Sequence, residues 1–210
     1  MRLPLYVRAL ANLLAKAIEV VSSKELGDRL GVTPAQIRKD LSYFGRFGKQ
    51  GRGYNVRYLL GELRQILGLD WEWQTAVVGA GRLGRAIIGY PGFAPEGFKM
   101  VAAFDVSPEH VGKKIGSVPV LSMDELEETV QRLNIQIVIL AVPAAEAPGV
   151  IHRLVKCGVK ALLNYAPVQP QAPLDVRVRN IDPVLALQSM TYYLKQRAEA
   201  SAPRRASGTG

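Results

Sequence analysis

Residues 75–84 read TAVVGAGRLG, and this stretch decides the fold of the larger part of the chain. A short apolar run leads directly into a G-x-G-x-x-G pattern, and the residues up to Gly89 are typical of a helix. Strand, glycine loop and helix in this order open a Rossmann-type dinucleotide-binding fold, in which the glycines allow a tight turn, a close pyrophosphate and close helix packing. The sequence therefore predicts an α/β domain with a parallel sheet and the phosphates at the N-terminus of the helix.

An acidic residue follows at the distance that NAD(H) requires. A second apolar strand over residues 99–104 ends at Asp105, which lies 21 residues after Gly84. A carboxylate there accepts hydrogen bonds from the ribose hydroxyls and repels a 2′-phosphate, so NAD(H) is favoured over NADP(H). The alternative is an aspartate that only caps a turn with Ser107 and Pro108, but the spacing favours the cofactor.

The α/β alternation continues towards the C-terminus. Four further elements are predicted: a helix from a Ser122–Glu125 capping box to Leu133, a strand over 135–142, a helix over 144–157 and a strand over 159–163. Ligands of open α/β sheets bind at the carboxyl ends of strands, so residues 141–143 and the NYAP segment 164–167 are expected around the nicotinamide, unless their prolines merely end the strands. The predicted cofactor-binding residues are Gly79, Ala80, Gly81, Arg82, Leu83, Gly84, Asp105, Val142, Pro143, Asn164 and Tyr165.

The N-terminal third is helical in pattern. Apolar residues three and four apart predict a first helix over 5–21. A second helix is expected to begin at Ser22 or Ser23 and to end at Leu30–Gly31. Thr33 then opens a third helix, with Pro34 at its first position and Gln36 completing a capping box. Two helices joined by a short glycine-containing turn indicate a helix-turn-helix.

The third helix and the segment after it suit DNA. Ile37, Leu41 and Phe44 are expected to pack inward, which leaves a polar and basic face outward, and the glycine-rich run 45–56 predicts a basic hairpin, or wing. Each feature alone is more often a solvated helix face or an ordinary glycine loop, but the combination favours DNA binding. The predicted DNA-binding residues are Gln36, Arg38, Lys39, Ser42, Tyr43, Arg46, Lys49 and Arg52.

Composition limits the class of protein. The 210 residues carry a net charge of +9, and the first 70 hold +6 of it, as a polyanion-binding domain would. A lone cysteine excludes an internal disulfide framework, and no leader or long apolar run is evident, so a cytoplasmic location is expected. No metal site is predicted.

An enzymatic function is disfavoured. Hydride transfer needs an acid/base group and a substrate domain. His110 and His152 are expected at the surface, Cys157 is expected to be a packing residue, and too little chain follows Asn164 for a substrate domain. The cofactor is therefore predicted to be a sensed ligand. The rival interpretations are an NAD-dependent oxidoreductase and a CoA-binding or other nucleotide-binding regulator, and Asp105 argues against a 3′-phosphorylated nucleotide.

The run QIRKDLSYFGRFGKQGRGY, residues 36–54, resembles the winged-helix signature of the redox-sensing repressor family Rex, and the resemblance extends through GAGRLG and NYAP to the last helix. It implies a homodimer that represses transcription by binding an inverted-repeat operator and that leaves the operator when NADH binds.

The resemblance also gives a role to the C-terminal segment. Residues 181–197 are predicted to be helical and apolar on more than one face. The helix either covers its own sheet or, as the resemblance implies, is exchanged between subunits. The expected domains are a winged-helix DNA-binding domain (1–73), an NAD(H)-binding Rossmann domain (74–180), a dimerisation helix (181–200) and a disordered tail (201–210).

Overall fold

A computed structural model describes residues 2–49, 52–169 and 171–201. It divides into two compact units, one with Met1–Glu72 and Pro95–Gly97, the other with Trp73–Ala94 and the residues from Phe98 onward. The predicted fold class is confirmed, since a small helical unit with a wing precedes an α/β unit. Apart from Ser201, the predicted tail lies outside the described residues.

The first unit combines helices with a small antiparallel sheet. Its elements are α1 (Leu3–Ala15), β1 (Val20–Val21), α2 (Ser23–Leu30), α3 (Pro34–Ser42), β2 (Gly48–Lys49), β3 (Gly53–Asn55) and α4 (Val56–Ile66). The strands lie in the order β1–β3–β2. Buried apolar side chains from all of these helices, with Val21 and Phe47, form one core. The order α2, turn, α3, hairpin is that of a winged helix-turn-helix.

The predicted first helix is too long. It ends at Ala15, and Ala17 has a left-handed backbone with φ of 56°. Val20 and Val21 instead pair with Asn55 and Tyr54 of β3. Val21 belongs to a strand, but it packs on the same core as α1. Its apolar character therefore fitted the helical spacing although the residue is not in the helix.

The second helix begins and ends as predicted. Ser22 and Glu25 form a complete capping box, in which the Ser22 N–H donates to Glu25 Oε2 at 2.8 Å and the Glu25 N–H to Ser22 Oγ at 3.1 Å. Gly31 ends the helix with φ of 65°, a left-handed conformation that favours glycine.

The second unit is a mainly parallel sheet with helices. Its elements are β4 (Trp73–Val78), α5 (Arg82–Ile88), β5 (Phe98–Asp105), β6 (Lys114–Ile115), β7 (Val118–Ser122), α6 (Leu126–Arg132), β8 (Ile137–Leu140), α7 (Ala147–Lys156), β9 (Ala161–Asn164), β10 (Arg177–Asn180) and α8 (Pro183–Ser201). The strand order is β10–β9–β8–β4–β5–β7–β6, and among the described strands of this seven-stranded sheet only the β6–β7 pair is antiparallel. The predicted α/β alternation of this unit is confirmed, but its bounds differ. Helices α6 and α7 and strand β8 are shorter than predicted, β4 and β5 begin earlier, and β9 begins and ends later. Strands β6, β7 and β10 were not predicted.

This topology creates a crevice beside β4. The chain runs from β4 to β5 and β7 on one side, then returns to β8 on the other side of β4. The connections after β4 and β8 therefore leave the sheet in opposite directions, and a crevice opens at the carboxyl ends of these strands.

The C-terminal helix α8 is exposed. Asp182 caps it, because its Oδ1 accepts hydrogen bonds from the N–H groups of Val184 at 2.9 Å and Leu185 at 3.3 Å. Seven large apolar residues of the helix are each more than half exposed: Val184, Leu185, Leu187, Met190, Tyr192, Tyr193 and Leu194. The alternative that α8 covers its own sheet is therefore wrong for the described chain.

Candidate functional site

The predicted DNA-binding face of α3 is open to solvent. Arg38, Lys39, Ser42 and Tyr43 are exposed, the last by 74%. Arg38 Nη1 donates to Ser23 Oγ of α2 at 3.0 Å, which restrains the guanidinium beside the helix. The charged and polar groups needed to contact a nucleic acid therefore share one accessible helix face.

Two details of α3 differ from the prediction. Thr33 Oγ1 accepts from the Gln36 N–H at 3.2 Å, but Gln36 Nε2 donates to Asp40 Oδ1 at 2.6 Å instead of returning to Thr33. The capping box is therefore only half formed: its second bond would run from the Thr33 N–H to Gln36 Oε1, and the amide is instead directed along the helix to the Asp40 carboxylate. Phe44 lies beyond the end of α3 and is 42% exposed, so only Ile37 and Leu41 pack inward.

The wing after α3 is a short hairpin. Strands β2 and β3 pair with Gly48 opposite Tyr54 and Lys49 opposite Gly53. Arg46, just before β2, and Arg52, in the turn just before β3, are both exposed. The side chain of Lys49 and the tip residues 50–51 lie outside the described residues. The DNA contacts themselves stay predictions.

In the second unit, the glycine loop is shaped by close backbone contacts. A Cβ on Gly84 would lie 1.8 Å from the Gly79 carbonyl oxygen, so only glycine lets α5 approach the loop. Gly79 has φ of 97° and lies against Ala141 at the end of β8. A Cβ on Gly81 would meet nothing within 4 Å. Gly81 therefore faces open space from which a ligand can approach the backbone, as the fingerprint requires.

Asp105 joins the end of β5 to this loop. Its Oδ2 accepts from the Ala80 N–H at 2.6 Å, and its Oδ1 accepts from the Ser107 N–H at 2.8 Å. Burial raises the pKa of Asp105, but these two donors and the nearby His110 outweigh it and leave the pKa below its ordinary value. Asp105 therefore does cap the turn at Ser107, and the same carboxylate also lines the cleft described in the next paragraph.

A cleft of about 770 Å³ opens at the carboxyl ends of β4, β5 and β8. Its size is that of an ordinary small-molecule site. Among its lining residues are seven that the sequence singled out: Gly79, Gly81, Arg82, Leu83, Asp105, Val142 and Pro143. At the β8 end the lining is formed by Ala141, Val142 and Pro143, with the exposed carboxylate of Glu146 beyond them, and Asp105 and His110 lie at the β5 end.

Four predicted cofactor residues are not among those that line the cleft. Ala80 is buried with its N–H bound to Asp105, and Gly84 is buried against Gly79. Asn164 is fully buried: its Oδ1 accepts from the Ala166 N–H at 3.0 Å, and its Nδ2 donates to the Ala166 carbonyl at 2.9 Å and to Asn180 Oδ1 at 3.0 Å. Tyr165 packs in a small apolar cluster beside it. These side chains shape the sheet ends, and any contact of theirs with a cofactor stays a prediction.

Sequence reasoning missed His110. The residue was expected at the surface, yet it lines the cleft with its side chain 26% exposed, and its Nδ1 lies 3.2 Å from Asp105 Oδ2. The signal was available, because a residue five positions after a strand-end aspartate can turn back towards it. By contrast His152 is exposed and Cys157 packs against the core, as predicted, and burial raises the pKa of the Cys157 thiol.

Two further features are absent from the described part of the chain. The described residues contain no helix that is long and apolar enough to cross a membrane. They contain no cluster of three or more His, Cys, Asp or Glu side chains arranged for a metal ion.

Two family descriptions match parts of the chain. One, putative DNA-binding protein N-terminus, covers residues 1–42. The other, CoA binding domain, covers residues 70–168. Together with the fold and the cleft, they define the class of protein: a DNA-binding protein that combines a winged-helix unit with a Rossmann-type nucleotide-binding unit.

More specific similarity extends along nearly the whole chain. The redox-sensing transcriptional repressor Rex of Roseiflexus sp. (strain RS-1) is 54% identical over 92% of this chain and 88% of its own length. That of Chloroflexus aurantiacus is 51% identical over 94% and 93%. RSP, in a crystal structure with β-NAD+ and operator DNA, is 39% identical with a TM-score of 0.89 and covers 99% of this chain and 95% of its own. The chain belongs to the Rex family of redox-sensing transcriptional repressors.

Proposed function

We propose that this protein is a homodimeric transcriptional repressor that senses the NADH/NAD+ ratio, binds an inverted-repeat operator and leaves it when NADH binds. One observation carries the proposal: the chain matches RSP over almost its full length, and RSP has been crystallised both with β-NAD+ and operator DNA and with β-NADH. The functional domains are residues 1–73 for DNA, 74–180 for the nucleotide and 181–200 for dimerisation.

The DNA contacts are assigned to α3 and the wing. Arg38 and Lys39 are exposed on α3, the proposed recognition helix, and Arg46 and Arg52 are exposed before and within the hairpin, so all four could contact base edges or phosphates. Each neutralised phosphate adds to the salt dependence of binding, so operator affinity falls steeply as salt rises.

The nucleotide is assigned to the cleft, with its adenosine ribose at Asp105 and its nicotinamide near Val142 and Pro143. The oxidised ring carries a positive charge that must lose water in an apolar site, whereas the reduced ring is neutral, so this end favours NADH. Glu146 also lines the cleft, but it is exposed and water screens its charge.

The dimer contact is assigned to α8. Its large apolar residues are exposed on the single chain, and a patch of that kind is typical of a protein–protein interface. A two-fold dimer reads an inverted repeat, and a small change of subunit angle would misplace both recognition helices.

The rival functions make different predictions. His110 and Asp105 could serve as an acid/base pair, but they lie at the β5 end, where the fold binds ribose and not the reacting ring. We therefore propose a regulator without turnover, acting in the cytoplasm. A CoA ligand would bring a 3′-phosphate towards the Asp105 carboxylate, which repels it.

The test is a titration of labelled duplex DNA, taken from selection of a randomised inverted-repeat pool, with NADH, NAD+ and CoA added separately. NADH is expected to release the protein from DNA at concentrations where NAD+ and CoA do not. The proposal would be overturned if none of the three ligands changed the affinity for the operator, or if CoA alone released the protein from it.

A further inference from the structure

An acidic residue, Asp40, lies in the last turn of α3, next to Arg38 and Lys39. Asp40 is only 15% exposed at its side chain. Its carboxylate accepts from Arg2 Nε at 2.7 Å and Arg2 Nη2 at 2.8 Å, from the Tyr6 hydroxyl at 2.6 Å and from Gln36 Nε2 at 2.6 Å. These four bonds use the ordinary acceptor capacity of a carboxylate.

Arg2 keeps this carboxylate charged without exposing a free negative charge. The bidentate guanidinium holds the pKa of Asp40 well below its usual range. Because Arg2 supplies the compensating charge at the same place, Asp40 does not repel a phosphate backbone as an isolated aspartate would. Its position is thus compatible with a DNA-facing helix.

The network fixes the side-chain amide of Gln36. An amide can normally turn over and exchange its donor and acceptor ends. An ionised carboxylate can only accept, so Nε2 must face Asp40 and Oε1 must face away from it. Gln36 is half-buried, and its backbone N–H is bound to Thr33, which restricts the amide further.

We propose that Asp40 is a positioning residue that makes Gln36 present its carbonyl oxygen to the major groove and read a base with an amino group, adenine before cytosine. Adenine comes first because the second Nε2 N–H of Gln36 remains free to donate to its N7, the bidentate pairing of glutamine with adenine. The inference rests on the proposed function, since it requires that α3 enters the groove.

The experiment compares base preferences and not only affinities. Wild type, Asp40→Asn, Gln36→Ala and the double variant each select from a duplex pool in which an inverted repeat is randomised, and the enriched sequences are counted. An asparagine at position 40 can donate or accept, so it leaves the Gln36 amide free to turn over.

Wild type is expected to prefer an amino-bearing base at one symmetry-related pair of positions by about fivefold or more. Asp40→Asn and Gln36→Ala should both lose that preference, at the same position, and the double variant should lose no more than Gln36→Ala alone. Asp40→Glu, which remains acceptor-only, should keep it.

Tyr6→Phe is the matched structural control. It removes one bond to Asp40 from the buried side and leaves the Gln36 bond in place, so thermal stability should fall while the base preference stays. If Asp40→Asn does not fold, Asp40→Ser replaces it, because a hydroxyl also donates or accepts.

Three outcomes would overturn the inference. They are that folded Asp40→Asn keeps the preference, that it weakens binding equally at all positions, or that its loss of preference adds to that of Gln36→Ala. The proposed function stands in each of these cases, because wild type still enriches an inverted repeat. A wild-type protein that enriches no sequence overturns both.

Discussion

Replacing Asp105 by asparagine tests the cofactor cleft with the smallest change of shape. The side chain is 11% exposed, and its oxygens lie 2.6 Å from the Ala80 nitrogen and 2.8 Å from the Ser107 nitrogen. Asparagine can keep one of these bonds through its oxygen but loses the charge. Hydrogen bonds from ribose hydroxyls to a charged acceptor are worth roughly 1.5–3 kcal/mol, so NADH affinity should fall about 10- to 150-fold.

Isothermal titration calorimetry at fixed salt measures this loss. The matched control is Glu128→Gln, which removes the same charge from an exposed position of α6 outside the cleft and should leave NADH affinity within about twofold. The affinity for NADPH relative to that for NADH should rise in Asp105→Asn, because the carboxylate that repels the 2′-phosphate of NADPH has been replaced by a neutral amide. If folded Asp105→Asn binds NADH as wild type does, the carboxylate does not contact the ribose and the fingerprint has been misinterpreted.

Three further results are expected. Arg38→Ala or Lys39→Ala should abolish operator binding by mobility shift while NADH affinity stays within about twofold, and equal loss of both activities would contradict separate sites. Glu127→Gln should lower the free energy of unfolding at pH 7 by about 0.5–1 kcal/mol, because the half-exposed Arg153 pair is lost. Arg153 lowers the pKa of Glu127, so the stability difference between wild type and Glu127→Gln is complete above the ordinary glutamate pKa and disappears as the pH falls through the lowered pKa. Urea titrations at several pH values measure this difference. A difference that does not change with pH would exclude the ion pair as its cause. Truncation after Asn180 should weaken dimerisation in sedimentation and abolish tight operator binding, and a stable truncated dimer that NADH still releases would place the switch elsewhere.

Features fixed by local spacing were predictable from the sequence. The conformation of the loop 79–84 depends on glycines that its backbone requires, and the position of Asp105 depends on the length of the strand before it. Both could therefore be predicted from the residue types and their spacing. The Ser122–Glu125 capping box and the start of α2 at Ser22 are equally local, since each depends on residues at most three apart. The helix-turn-helix also followed, because its turn and caps occupy one short stretch.

Features that depend on distant packing were not predictable. Val21 lies in a strand because it meets β3, which follows more than 30 residues later along the chain. The side chain of Asn164 is hydrogen-bonded to its own turn and to Asn180 of the next strand, and no local sequence pattern predicts the contact with Asn180. Gln36 turns to Asp40 because Arg2 and Tyr6, far back in the sequence, hold that carboxylate in place.

The Asp105 prediction also separates binding from sensing. A ligand shifts a two-state equilibrium only by the difference between its affinities for the two states, and a 100-fold change in operator affinity corresponds to about 2.7 kcal/mol of such a difference. NADH and NAD+ share the ribose that Asp105 faces, and they differ only at the nicotinamide, which we assign to the apolar end of the cleft at Val142 and Pro143. Asp105→Asn should therefore weaken both forms by the same factor. It should raise the NADH concentration needed to release operator and leave the NADH/NAD+ affinity ratio unchanged, whereas a changed ratio would mean that the ribose end takes part in redox discrimination.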